Sequence, residues 1–347
     1  MKFLKCSEKK CDSGKSVAIV GGGVAGLTAA GELICEGHKV EVYDEMPEPG
    51  GFLIFGISSH EISRDGVRER IDELKKVGVN FHNNSRVGKD VDLEGLIKEH
   101  DAVLITTGTW KYDKVNISGG DLDGVYYAID FMKKYNLREM GHDAEVPQLS
   151  GNVGIVIPKI SGEGASVGGD LVTVDVVPMV FIQGAHKITI IYKGTRLESK
   201  SSEENFNYIE NYYLQYSPEK LEIMEFTQPF QFTGDNNKVS SIEAIKTRLE
   251  ENKIVEVDGS EFSINVDNIL ISTPPSPAPP FESGKYGIEL NDDGTIKTDK
   301  FYRTGREKVF AAGNARHGPR YLIPAMRSAR SAANSINKYL ETGSWAD

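Results

Sequence analysis

The sequence predicts an α/β protein with two doubly wound parallel-sheet domains. Three observations carry that prediction. Near the start, the β-branched run SVAIV leads into the glycine loop GGGVAG and the helical stretch LTAAGELICEG. Halfway along, the apolar run NVGIVI leads into a second glycine-rich segment, PKISGEGASVGGD. The length, 347 residues, is about twice that of a typical domain.

Composition limits the function classes. With 39% hydrophobic and 26% charged residues the chain reads as globular rather than disordered. A formal net charge of −11 argues against a nucleic-acid binder, which needs a basic face. No apolar run approaches the roughly 18 residues of a membrane span. The opening MKFLKCSEKKCDSGK has lysines but no apolar core behind them, so it does not read as a secretory signal. The expected location is cytoplasmic, without membrane insertion.

Residues 1–15 read as an N-terminal arm. It holds Cys6 and Cys11, which are open to a disulfide, to partial ligation of a cluster, or to no role. Two thiolates are too few to hold an iron–sulfur cluster alone. The third cysteine, Cys35, lies in a helical stretch and reads as a small packed apolar residue.

The first strand, residues 16–20, reads as a fully buried parallel strand. After it, Gly21 permits a tight turn, Gly23 allows close backbone approach to a pyrophosphate, and Gly26 allows close helix–strand packing. The helix that starts there offers unpaired N–H groups and a positive dipole end to phosphates. The second strand, KVEVYD, ends at Asp44, 23 residues after Gly21, where an acid accepts hydrogen bonds from a ribose. This fingerprint serves FAD and NAD alike.

Four further segments accompany it in order: EMPEPGGFLIFGIS, HDAVLITTGTW, GGDLDGVYYAIDFMKKYN and FYRTGREKVFAAGNARHGPRYLIPAMRSARSAANSINKYL. Together they resemble the pyridine nucleotide-disulfide oxidoreductases, flavoproteins with two dinucleotide-binding domains. Within these the likeness is to the glutamate synthase small-subunit branch and its heterodisulfide reductase A-like relatives. It covers roughly residues 16–135 and 295–340. It implies a Rossmann-like FAD-binding domain from residues 16–145 and 272–347, interrupted by a nicotinamide-type domain at 146–271.

The resemblance assigns the first fingerprint to FAD, so Gly21, Gly23, Val24, Ala25, Gly26 and Asp44, with Glu45 beside it, become candidate cofactor contacts. Gly50, Gly51, Phe52 and Gly56 look like the family's flavin loop, and Thr107 and Gly108 like its threonine–glycine strand end. VFAAGN looks like the C-terminal flavin motif, adding Gly313 and Asn314. The family usually has Asp where this chain has Asn314, and Asn still hydrogen-bonds a hydroxyl. A helix expected from near Tyr321 and Leu322 would turn its positive end to the pyrimidine side of the flavin. Arg316, His317 and Arg320 would add to that field or stand as solvated surface charge. No catalytic acid or base and no metal ligand is assigned.

The middle segment departs from a standard nicotinamide loop. PKIS intervenes between strand and Gly162, and Gly164 and Gly168 are three residues apart rather than two. Inserted residues move N–H groups away from a common focus. Pro178 is expected to interrupt the following helix. ILISTPPSPAPP lacks the glycine that the family commonly has after that strand. Against these stand GGDLVTVD, with Gly168 and Gly169, which still resembles the family's helix start, and Lys193 and Arg196, placed to meet a 2′-phosphate. The sequence favours an altered NAD(P) loop and leaves a working one open.

No cysteine follows Cys35, so the Cys-x-x-Cys chemistry of the thioredoxin reductase branch is not expected. The preferred functional reading is an FAD-dependent electron-transfer subunit resembling the short heterodisulfide reductase A-like proteins of sulfur-oxidising systems, with iron–sulfur or disulfide-reductase-type subunits as partners. One alternative is a stand-alone NAD(P)H-dependent flavin oxidoreductase of the glutamate synthase small-subunit type. Another is a structural flavoprotein that organises a complex. A homodimer is left open.

Overall fold

The computed structural model describes residues 2–6, 8–59, 61–159, 167–214, 220–251 and 253–344, without the side chains of 212–214. By contact the chain divides into two compact units, Met1–Lys111 with Ser276–Asp347, and Tyr112–Pro275.

The arm lies back along the first helix. Phe3 is only 2% exposed, Lys10 N donates to Cys35 O (3.0 Å) and Ser13 N to Gly37 O (3.1 Å). This path joins Cys6 to Cys35 in a disulfide and leaves Cys11 free and exposed. Cys35 is therefore not merely a packed apolar residue. Its partner lies 29 residues away, a separation that carries no local signal.

From the arm the chain enters β1 (Ser16–Val20), α1 (Val24–Cys35), β2 (Lys39–Tyr43), the short α2 (Phe52–Phe55), α3 (Arg64–Lys76), β3 (Asn80–His82), α4 (Leu93–Glu99) and β4 (Ala102–Ile105). It crosses into the second unit at β5 (Lys111–Tyr112) and continues as β6 (Val125–Tyr127), α5 (Ala128–Glu139), β7 (Gly151–Ile157), α6 (Gly169–Ile182), β8 (Ala185–Tyr192), α7 (Lys200–Leu214) and β9 (Leu221–Met224). There follow β10 (Thr227–Asp235), β11 (Lys238–Glu250), β12 (Lys253–Glu256), β13 (Phe262–Asn265) and β14 (Asn268–Ile271). After β15 (Pro275–Ser276) the first unit is completed by β16 (Val309–Ala311), α8 (Asn314–His317) and α9 (Leu322–Thr342).

The first unit has a five-stranded parallel sheet in the order β16-β4-β1-β2-β3. Val17 to Val20, all four residues of β4 and all three of β16 are buried. Burial on both faces is why these strands read as unbroken apolar runs. The C-terminal segment thus enters the same sheet as the opening strand, and α9 packs on α1.

The second unit has a parallel sheet in the order β6-β14-β7-β8-β9 and a separate antiparallel sheet of β10 to β13. Between them Val156, Ile191, Phe232, Ile242 and Ile269 pack together. Residues 112–145, expected with the outer domain, lie in this unit: Val125 of β6 pairs with Ile269 of β14, and α5 packs on α6. A strand followed by a helix suits either domain, so the local pattern did not discriminate. Pro178 also differs from expectation, because α6 runs through it to Ile182. The prolyl ring removes one helix hydrogen bond, but its neighbours Val176, Val177, Met179 and Val180 are all buried, and that packing holds the helix together.

Candidate functional site

Doubly wound sheets bind ligands outside the carboxyl ends of their strands, and the first unit assembles its conspicuous groups there. Gly21 leaves β1 with φ +105°, a backbone state that favours glycine. A Cβ on it would lie 2.6 Å from the Thr106 carbonyl oxygen, and one on Gly26 would lie 2.0 Å from the Gly21 carbonyl oxygen. Gly23 precedes α1 and supplies no capping side chain, and the first turn, with Val24, Ala25 and Gly26, holds no acid. In contrast, Ser63 caps α3 and Asp92 caps α4. The N–H groups at the start of α1 are thus left for a ligand.

Asp44 follows β2 and is 8% exposed. Its Oδ1 accepts from Met46 N at 2.8 Å and its Oδ2 from Gly22 N at 2.5 Å, so the carboxylate is fixed at the edge of the glycine loop. Glu45 next to it meets Arg86 at 3.4 Å. Gly50 N donates to Gly22 O (2.8 Å), and a Cβ on Gly51 would come within 2.8 Å of the Gly23 Cα. The expected flavin loop therefore sits directly on the fingerprint loop. Within it Phe52 begins α2 and Gly56 ends it, and Phe52 stacks on Trp110 with centroids 4.2 Å apart.

A buried polar atom without a partner calls for an explanation, and a bound ligand is one. Among the described residues Thr107 Oγ1, Asn83 Oδ1 and Asn314 Oδ1 are such atoms. They follow β4, β3 and β16, three strands of one parallel sheet. Gly108, beside Thr107, has open space where a Cβ would stand. Gly313 brings the C-terminal motif against the fingerprint helix, since a Cβ there would lie 2.6 Å from the Ala25 Cβ, and its N–H donates to Ser328 Oγ (3.0 Å). Asn314 Nδ2 donates to Arg320 O (3.1 Å), which orients the amide and leaves Oδ1 for a ligand. Tyr321 precedes α9 and Leu322 opens it, with no acid in the first turn. These groups fit a dinucleotide: glycines for the pyrophosphate, a fixed acid for a ribose, and polar acceptors toward the remaining hydroxyls. Asn314→Ala is expected to weaken FAD affinity about tenfold, the loss of one buried hydrogen bond, read by flavin fluorescence on dilution.

The cations beside α9 are organised. Arg316 donates to Thr298 Oγ1 and to Asp299 O (3.1 Å) and lies 4.3 Å from the Tyr302 ring centroid. These are uncharged partners, so the positive charge stays in the local field. His317 is exposed as a residue, yet partial burial, with Arg316 and Arg320, lowers its pKa to about 4. It is neutral at pH 7.

Sequence reasoning missed Asn83, Thr106 and Trp110. Thr106 Oγ1 donates to Gly21 O (2.9 Å) and Val20 O (3.2 Å) and ties β4 to the turn. Asn83 follows a strand of three residues, too short to announce itself. Trp110 was visible at the strand end, but its contact with Phe52 is tertiary.

In the second unit Gly162 and Gly164 lie outside the described residues. Gly168 precedes α6 without a capping side chain, and a Cβ on Gly169 would lie 1.8 Å from the Ser272 carbonyl oxygen. Ser272 is the first residue after β14. Its Oγ donates to Gly169 O (2.7 Å) and accepts from Thr173 Oγ1 (2.9 Å). Thr273 Oγ1, just past β14, is buried without a partner. Lys193 follows β8 and is exposed, whereas Arg196 is held by Glu210 and Glu225.

Known proteins are similar to this chain over most of its length. A family model described as pyridine nucleotide-disulphide oxidoreductase matches residues 15–334. The glutamate synthase [NADPH] small chain of Escherichia coli is 29% identical, over 95% of this chain and 69% of its own. The NADP(+)-dependent formate dehydrogenase subunit beta of Moorella thermoacetica is 29% identical, over 95% of this chain and 45% of its own. The structure of Mycobacterium tuberculosis FprA in complex with NADPH superposes with a TM-score of 0.73 at 16% identity, covering 95% of this chain and 85% of that one. At that identity the superposition speaks for the fold.

Proposed function

The chain belongs to the pyridine nucleotide-disulphide oxidoreductase family, and from that premise we propose that it carries electrons between a nicotinamide nucleotide and a partner protein. Membership makes it an oxidoreductase with FAD as its cofactor. When bound, FAD supplies the capacity to take up an electron pair and release it in one-electron or two-electron steps. The residues of this chain bind and orient. The α1 N-terminus and the Gly21–Gly26 loop would hold the pyrophosphate, Asp44 a ribose, Thr107 and Asn314 the remaining polar groups. The α9 N-terminus and Arg316 would favour negative charge at the site. The nucleotide belongs to the second unit, at the Gly168–Gly169 helix start and the unpartnered Thr273.

The observation that carries this reading is the alignment of unpartnered buried oxygens past β4 and β16, beside a helix start without a cap. An external acceptor is supported by the cysteines. All three lie within residues 1–35, two of them joined to each other, so the second unit has no thiol for dithiol exchange. Two relatives, the glutamate synthase small chain and the formate dehydrogenase subunit, are by name components of larger assemblies. The narrower proposal is that the acceptor is an iron–sulfur subunit of a heterodisulfide reductase-like complex in sulfur metabolism. Anaerobic titration of the flavin-loaded protein with NADH and NADPH tests the core reading. Bleaching of the flavin by at least one nucleotide is expected. Bleaching by dithionite alone would refute it.

A further inference from the structure

The nicotinamide reading leaves open which nucleotide is used, and the β8 end of the second unit bears on that question. In a doubly wound unit the residues after the second strand meet the adenosine ribose. An acid there accepts from the 2′-hydroxyl, whereas an arginine with free donors takes a 2′-phosphate. β8 is that strand here, and the residues after it run Lys193, Gly194, Thr195, Arg196, Leu197, Glu198.

Arg196 has the position for a phosphate but not the freedom. Its two terminal nitrogens donate to both oxygens of Glu210 (2.6 and 3.0 Å), and its Nε donates to Glu225 Oε2 (3.1 Å). The guanidinium also lies 5.3 Å from the Phe206 ring centroid, and the side chain is 15% exposed. Glu225 stands one residue past β9, whose Met224 pairs with Ile191 of β8, so its carboxylate is at the same strand end. It also accepts from Thr195 Oγ1 (2.9 Å) and Arg196 N (2.5 Å). Glu198 accepts from Tyr192 Oη (2.8 Å) and Thr195 N (3.2 Å). Among the described residues directly after β8 and bonded to them, Glu198, Glu210 and Glu225 stand against Lys193, which is exposed, and Arg196, which is not.

We propose that this strand end selects NADH over NADPH, because Arg196 is committed to Glu210 and Glu225 and the surroundings of the 2′ position are net negative. A 2′-phosphate would have to displace two carboxylates from Arg196 and would meet like charge. A 2′-hydroxyl is a donor and suits the carboxylates. The Escherichia coli relative carries NADPH in its name, so the proposal sets this chain apart from it.

The test is anaerobic stopped-flow mixing of the flavin-loaded protein with each nucleotide. NADH is expected to bleach the flavin with a second-order rate constant about tenfold or more above that of NADPH. The double variant Glu210→Gln, Glu225→Gln releases Arg196 and should narrow the ratio through a lower KM for NADPH. Equal or faster bleaching by NADPH in the unmodified protein overturns the proposal, as does an unchanged ratio in the folded variant. Bleaching by dithionite but by neither nucleotide removes the nicotinamide reading itself, and this inference with it.

Discussion

Alanine at position 26 is expected to give a protein that purifies without flavin. The added Cβ would stand 2.0 Å from the Gly21 carbonyl oxygen and 3.0 Å from Thr106 Oγ1. The turn cannot simply move aside. Gly21 N donates to Tyr43 O at 2.8 Å, its carbonyl accepts from Thr106 at 2.9 Å, and the residue itself lies against the Thr106 backbone. Either the loop breaks these contacts or α1 withdraws from β1, and both outcomes carry the α1 N–H groups away from the ligand. Overpacking of this kind costs about 1–3 kcal/mol. All of it falls on the state that binds, so flavin content should drop by tenfold or more. The flavin-to-protein absorbance ratio after purification and after incubation with excess FAD checks this. A fully loaded Gly26→Ala protein would show that the loop is not the pyrophosphate cradle.

The counterpart in the second unit is Gly169→Ala, expected to spare the flavin and slow its reduction by nicotinamide nucleotide. Here the Cβ would lie 1.8 Å from Ser272 O and 3.1 Å from Ile157 Cγ2. The helix start is held at that spot by Gly169 N donating to Lys159 O (2.8 Å) and by the Ser272 and Thr173 hydroxyls. Displacing it moves α6 off both β7 and β14. Bleaching by NADH should slow more than about tenfold while dithionite reduction stays normal, a separation that a general loss of stability would not produce. Normal bleaching would place the nucleotide elsewhere.

Much of this was legible in the sequence because the signals are local. A buried parallel strand needs an apolar run, a close helix–strand crossing needs Gly26, and a ribose acid belongs at the end of the second strand, where Asp44 is. Order along the chain then named the partners, so that VFAAGN could be assigned to the same site as Gly21. What escaped depends on tertiary approach. Cys35 and Cys6 meet because the arm folds back, and Phe52 meets Trp110 across a loop. Residues 112–145 changed units because β6 chose β14 as its neighbour, and strand pairing partners leave no trace within a three-residue strand. Arg196 was recognised as a cation near a phosphate position, but Glu210 and Glu225 lie 14 and 29 residues further on, and only the fold brings them to it.

A crystal structure of the flavin-loaded protein tests the account most directly. It should show FAD with its pyrophosphate at the start of α1 and with Thr107 Oγ1 and Asn314 Oδ1 both engaged by the cofactor. FAD bound away from those residues, or the space outside β1, β4 and β16 filled by the protein's own side chains, would contradict it.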